Sequence, residues 1–219
     1  MKKYALIVAG GVGTRMAVDT PKQFIPVAGL PILMHTLTRF YKYEHQMEII
    51  LVLPTSHFST WTNLSLQYDF DVPHRLVAGG SERFHSVKNG LDSIEGDGLV
   101  AIHDGVRPLI DEGTIDRCFK SAEKSGNGIA SVDLKESIRH LKKGGNEALD
   151  RSEYQLIQTP QTFQVKLIKE AFDREYIDQF TDDASVAEAA GQKINLVEGS
   201  YRNLKVTTKD DLVVAEAFL

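Results

Sequence analysis

Apolar residues along this chain fall into short continuous runs, with helical stripes between them. Tyr4 to Ala9 is one run, ending in glycines; Glu48 to Leu53 is a second, stopped by Pro54; Leu99 to Ile102 is a third. Runs of this length bounded by Gly or Pro predict strands buried on both faces, the first of them over Lys3 to Ala9. Arg75 to Ala78 and Gly128 to Val132 predict two more short strands. Between them the spacing turns helical. Pro31 opens a stripe of Leu33, Leu37, Phe40 and Tyr41, followed by Phe58, Trp61 and Leu64, then Val87, Leu91 and Ile94, then Ile115, Cys118, Phe119 and Ala122. Strands alternating with helices predict parallel βαβ units, an α/β fold with helices on both faces of the sheet.

The stretch from Leu134 to Gln158 breaks this rhythm. It is polar and carries a Lys-Lys-Gly-Gly-Asn turn at Lys142 to Asn146, which predicts a hairpin arm projecting from an otherwise single domain over 1–219. Helices are then expected around Val165 to Phe172 and Asp183 to Ala190, a strand at Lys193 to Val197 and a short extended piece at Asn203 to Val206. A last helix follows, with Thr208 as N-cap.

The 219 residues carry a formal net charge of −5, which argues against a broad nucleic-acid surface. The opening apolar run is too short for a signal segment or a membrane span, and one cysteine, Cys118, fits a reducing, cytoplasmic setting. Neither reading bears on a small basic site, because net charge averages over the whole surface.

Two places carry candidate chemistry. Ala9-Gly10-Gly11-Val12-Gly13-Thr14-Arg15-Met16, followed by Pro21-Lys22-Gln23, sets glycines directly after a buried strand. Backbone N–H groups there can approach phosphate oxygens while Arg15 or Lys22 neutralises charge. The dinucleotide fingerprint fails because Met16 stands where its third glycine belongs, and the Gly-Lys-Ser/Thr of a P-loop never occurs. The second place is His103-Asp104-Gly105-Val106-Arg107-Pro108, at the carboxyl end of a predicted strand, where open parallel sheets bind ligands. A single carboxylate there, Asp104, suits Mg²⁺, which takes one or two protein carboxylates and completes its shell with water and substrate phosphates. His103 reads as a structural histidine.

Ala9-Gly-Gly-x-Gly-x-Arg-Met, Pro21-Lys-Gln, Gly79-Gly-x-x-Arg-x-x-Ser-Val87, His103-Asp-x-x-Arg-Pro108, Asp150-Arg, Thr159-Pro-Gln161, Thr181-Asp and Asn203-Leu-Lys-Val-Thr207 together resemble the 2-C-methyl-D-erythritol 4-phosphate cytidylyltransferase family, in its order and over nearly the whole chain. The resemblance implies a Rossmann-like, mostly parallel sheet of the nucleotidyltransferase type with a hairpin dimerisation arm over 134–158. It implies CTP and Mg²⁺, no nucleic acid or membrane, and a homodimer. Ala9, Gly10, Gly11 and Gly13 would wrap the triphosphate, with Arg15 and Lys22 on the phosphates. Gly80, Ser81 and Ser86 would lie at the cytidine end, and Asp104 would hold the metal. Arg107, Thr159, Thr181 and Lys205 would face the sugar-alcohol phosphate, joined by Ser137 and Arg151 from the partner's arm; Arg151 and Lys205 would orient its phosphate. The nucleophile is then a phosphate monoester oxygen, largely ionised at neutral pH, so no general base is required. That agrees with the lack of a Ser-His-Asp or Cys-His motif.

The chain departs from the family at Gly105-Val106, where two alanines or Ser-Ala are frequent, at Ser81, where an acidic residue is frequent, and at Ser137, where Thr is frequent. Val106 also fits ribitol 5-phosphate cytidylyltransferases. Two alternative functions therefore accompany the first: that sister enzyme, and a nucleotide-binding regulatory protein without turnover.

Overall fold

The computed structural model describes residues 1–10 and 20–219. The first predicted strand is β1 (Lys3–Val8), and the four others are β4 (Glu48–Leu53), β5 (Arg75–Ala78), β6 (Leu99–Asp104) and β7 (Asn127–Asp133). With β10 (Gln155–Gln164) and β11 (Leu196–Glu198) they form a seven-stranded sheet in the order β11-β7-β10-β6-β1-β4-β5. Two short ribbons complete the strands, β2 (Pro26–Val27) with β3 (Leu30–Pro31), and β8 (Ile138–Lys142) with β9 (Gly145–Leu149).

Side chains alternate along β1 into two cores. Tyr4, Leu6 and Val8 pack with Phe84 and Val87 of α3 (Arg83–Asp92), Ile168 and Phe172 of α5 (Val165–Phe172), and Val186 of α6 (Asp183–Ala189). Ala5, Ile7 and Ala9 pack with Leu33, Leu37 and Phe40 of α1 (Ile32–Tyr43), Trp61 of α2 (Phe58–Gln67), and Ile115 and Phe119 of α4 (Glu112–Ser125). A strand covered on both faces has no polar face to show, which explains the unbroken apolar run. Leu6 and Ile7 are wholly buried, each contributing about 1.5–3 kcal/mol. The last helix, α7 (Lys209–Phe218), starts at Thr208, whose side chain accepts from the Asp211 N–H while Asp211 reaches back, as the cap predicts.

The sheet is mostly parallel, as expected; the exception is β10, which pairs antiparallel with both β6 and β7. The pattern gives no hint of this strand, because its buried residues include Gln158, Thr159, Gln161 and Thr162, with Pro160 among them. Proline is excluded from a regular central ladder, and it is accommodated by a shift of register between Ile157 and Gln161. The hairpin is present but shorter than expected: β8 and β9 form it, while Gln155 already belongs to the main sheet. Residues 203–206 form no strand.

Candidate active site

Strand register brings the two candidate segments together. Val8 pairs with Asp104, so the glycine-rich loop leaves β1 beside the carboxylate that ends β6. The Gly105 N–H donates to the Val8 carbonyl (2.9 Å) and the Ala9 N–H to that of Val52 (3.0 Å), locking the strand ends side by side. Thr36 of α1 donates to the Gly105 carbonyl from below (3.0 Å). A Cβ on Gly105 would lie 2.9 Å from both Ala9 Cβ and Leu33 Cδ1, so the glycine at this departure from the family pattern keeps the loop's first residue in place.

These strand ends open into a cleft of about 310 Å³. Ala9, Gly10, Lys22, Gly80, Ser81, Ser86, Asp104 and Lys205 line it, eight of the residues expected from sequence, although they are scattered along the chain. Lys22 begins a short 3-10 helix (Lys22–Phe24), whose Gln23 donates to the Ala9 carbonyl (3.1 Å) and whose Phe24 stacks on Trp61. On the other wall the Gly80 N–H donates to Ser86 Oγ (3.0 Å). A Cβ on Gly80 would fall 2.3 Å from that of His85, so this turn admits only glycine. Gly11, Gly13 and Arg15 lie outside the described residues.

Asp104 is the electrostatic centre. Its Oδ2 lies 3.0 Å from Lys205 Nζ and 3.3 Å from Arg107 Nε, and its Oδ1 lies 3.6 Å from Arg83 Nε. Burial opposes the charged carboxylate, but Arg83, Lys205 and Arg107 outweigh it and hold the group far below the usual carboxylate range. The backbone N–H of Asp104 donates to Thr159 Oγ1 (3.1 Å), which also bonds His103 Nδ1 (3.1 Å), while His103 Nε2 meets the Arg107 carbonyl (3.3 Å). His103 is fully buried, and burial pushes its pKa down to about 3, so it is the neutral structural histidine expected.

Other expected residues sit elsewhere. Arg107 turns inward, its Nη1 donating to the Asn203 carbonyl (2.8 Å). The buried Thr159 hydroxyl serves the protein's own bonds and positions Asp104. Thr181 is exposed just before α6 and does not line the cleft. Ser137 and Arg151 are exposed at the arm, with Arg151 donating to the Lys135 carbonyl. Within one chain neither lines the cleft.

Sequence reasoning assigned no role to three residues that the structure places at the site. Arg83 lines the cleft and grips the buried Asp183 through two hydrogen bonds, 2.8 and 2.7 Å. Gln23 lines the cleft beside Lys22, and Asn203 donates to the Thr159 carbonyl (2.7 Å), tying the Lys205 segment to β10. All three stood inside the quoted motifs, so the signal was membership of a motif without an assigned part in the chemistry.

Among the described residues no cluster of three or more His, Cys, Asp or Glu could cage a metal, and no helix is long and apolar enough to cross a membrane. The cleft is lined by the cations Lys22, Arg83 and Lys205 together with the carboxylates of Asp104 and Glu82, and cations gathered at strand ends suit a phosphorylated ligand.

The comparisons with known proteins agree with that reading. A sequence model of the family described as IspD, 2-C-methyl-D-erythritol 4-phosphate cytidylyltransferase, matches residues 4–219. The protein of that name from Phocaeicola vulgatus is 48% identical over 219 residues, covering 100% of both chains. Its counterpart from Porphyromonas gingivalis is 50% identical over 219 residues, covering 100% of this chain and 98% of its own. The crystal structure of the Francisella tularensis enzyme superposes with a TM-score of 0.82 at 32% identity, covering 100% of each chain. Motifs, fold, cleft and relatives coincide, and the chain belongs to the 2-C-methyl-D-erythritol 4-phosphate cytidylyltransferase family.

Proposed function

We propose that this protein transfers CMP from CTP to 2-C-methyl-D-erythritol 4-phosphate, giving 4-diphosphocytidyl-2-C-methyl-D-erythritol and pyrophosphate, a step in isoprenoid precursor synthesis. The observation that carries the proposal is Asp104, ionised among Arg83, Arg107 and Lys205 at the meeting point of β1 and β6, in a chain of this family. The alcohol phosphate attacks the α-phosphorus of CTP through an oxygen that is already anionic, the P–O bond to the β-phosphate breaks, and pyrophosphate leaves with the electron pair. No proton need be removed from the nucleophile. The protein's task is to hold two anions against their repulsion, by positioning and fixed positive charge. Lys22 is assigned to the triphosphate with Arg15, and Lys205 to the incoming phosphate. Ala9 and Gly10 supply backbone donors, and Gly80, Ser81 and Ser86 form the cytidine end.

The donor set fits Mg²⁺ held by one carboxylate: Asp104 is ionised and lines the cleft, and a Mg²⁺ ion needs few protein ligands where substrate phosphates supply the rest. When bound, the ion would neutralise charge on the phosphates beside Asp104.

We assign the working form to a homodimer. The arm extends from a surface bearing exposed Tyr154, Leu156, Ile157, Leu196 and Tyr201, an apolar patch that a second chain would cover. Ser137 and Arg151 are exposed on the arm and do not line their own chain's cleft, which supports assigning them to the partner's. The proposed setting is cytoplasmic, with small-molecule substrates and no nucleic acid, in keeping with the charge of −5 and the buried Cys118.

The test is pyrophosphate release from purified protein with CTP and Mg²⁺. It should depend on methylerythritol 4-phosphate. Release only with ribitol 5-phosphate would reassign the substrate, and CTP binding without release from any alcohol phosphate would restore the regulatory reading.

A further inference from the structure

Another cavity, of about 500 Å³, shares no lining residue with the cleft. Its volume falls within the range of about 300–1,000 Å³ typical of small-molecule sites. Three arginines from separate parts of the chain line it: Arg39 of α1, Arg117 of α4 and Arg202 of the loop before Asn203. Arg39 and Arg117 are half-buried. Each is fixed through Nε to a neutral acceptor, Arg39 to the Pro108 carbonyl (3.3 Å) and Arg117 to the Glu198 carbonyl (2.7 Å). Arg117 Nη2 also donates to Thr114 Oγ1 (3.1 Å). The Arg202 guanidinium lies 5.2 Å from the centre of the Phe218 ring, a cation–π contact. Among the described residues none of the three is paired with a carboxylate, whereas Arg75, Arg83 and Arg107 each are. The acidic side chain in the lining, Asp111, is the N-cap of α4 and already accepts from the Thr114 N–H (2.8 Å) and hydroxyl (2.8 Å).

We infer that this cavity binds the phosphate or diphosphate group of a small molecule, at a site separate from the cleft assigned to CTP and the alcohol phosphate. Charges removed from water are ordinarily paired, and an anion entering here supplies the counter-charge that Arg39 and Arg117 lack. The number and placement of the arginines set the class of ligand. A tetrahedral phosphate offers oxygens in several directions and can take donors from three walls, while a planar carboxylate is served by one or two forks. The walls are also held in place without a ligand, which lowers the cost of binding. Gln158 of β10 donates to the Ser200 carbonyl (2.9 Å) and accepts from the Ser200 N–H (3.3 Å), and the Arg202 N–H donates to Ser200 Oγ (3.2 Å). The loop carrying Arg202 is thereby tied to the sheet.

The experiment titrates the full chain with inorganic pyrophosphate in metal-free buffer at constant ionic strength and follows the side-chain Nε–H signals of the arginines by NMR. Each signal is assigned by its loss in Arg39→Gln, Arg117→Gln or Arg202→Gln. The three signals should move together along one saturating curve with a Kd below about 1 mM. In Arg117→Gln, binding read at Arg39 and Arg202 should weaken by about tenfold. The dicarboxylate malonate should bind at least about threefold more weakly than pyrophosphate; equal affinity would overturn the phosphate class. Shifts that grow without saturating up to about 10 mM, or binding that Arg117→Gln leaves within about twofold of wild type, would overturn the site. A response confined to Arg83 and Arg107 would place the pyrophosphate in the cleft and overturn it as well. If an acidic side chain of a second copy already pairs with these arginines in the homodimer, their signals will not respond, and the inference falls. Should Arg117→Gln fail to fold in a thermal melt, the exposed Arg202→Gln takes its place, with binding read at Arg39 and Arg117 against the same limits.

Discussion

Replacing Lys205 by alanine separates chemistry from stability at this site. Lys205 approaches Asp104 Oδ2 at 3.0 Å, but its side chain is 41% exposed, and Arg107 and Arg83 remain to compensate the carboxylate. A partly exposed ion pair of this kind contributes about 0–1 kcal/mol. For a domain of this size 1 kcal/mol moves Tm by about 2–4 °C, which is the ceiling for the variant's thermal shift. The segment itself stays in place, because Asn203 donates to the Thr159 carbonyl (2.7 Å) and the Val206 N–H to the Val106 carbonyl (2.9 Å). Catalysis should respond very differently. Loss of one preorganised group that stabilises transition-state charge costs about 2.7–4 kcal/mol, or roughly 10²–10³ in kcat. The assay is steady-state pyrophosphate release with CTP, methylerythritol 4-phosphate and Mg²⁺, alongside a thermal melt of the same preparation. A loss under about tenfold in kcat would refute the charge-stabilising role, and a Tm drop well beyond about 4 °C would show that Lys205 is structural instead.

Further outcomes are expected. Lys22→Ala and Arg151→Ala should each abolish or strongly reduce turnover in folded protein; mixed dimers of the two should regain one working site, and no recovery after confirmed subunit exchange would place Arg151 in cis. Gly80→Ala should raise the KM for CTP and destabilise the fold by about 1–3 kcal/mol, because its Cβ would fall 2.3 Å from that of His85; wild-type kinetics and melting would refute the close approach. His103, held near 3 in the folded state against its ordinary 6.5, binds a proton more readily when unfolded. Its contribution to stability is therefore present above pH 6.5 and declines as the pH falls toward 3, by about 1.4 kcal/mol per unit. Urea melts at pH 7 and pH 5 should show this loss, and His103→Gln should reduce the difference between them; an unchanged difference would count against the assignment.

The legible and illegible parts of this protein divide along a physical line. Apolar runs and stripes located β1, β4, β5, β6 and β7 and the helices between them, since burial on both faces leaves its mark on composition alone. The motifs located Lys22, Asp104 and Lys205, which are 82 and 101 residues apart in order along the chain, as parts of one chemistry. Strand β10 was invisible for the converse reason: Gln158, Thr159 and Gln161 are buried through hydrogen bonds to Ser200, His103 and Asp182, partners at a distance along the chain, and no local pattern records such satisfaction. Insertion of β10 turned part of a parallel sheet antiparallel and made Thr159 a support for Asp104. The same kind of long-range pairing drew Arg107 inward to Asn203 and set Arg83 between Asp104 and Asp183. The sequence by itself determined which elements form and which residue types the phosphate chemistry can draw on, because periodicity and motif order are local. Only the tertiary structure decided which of those side chains face the cleft and which hold others in place, because buried polar groups are arranged by partners that the chain brings near only when folded.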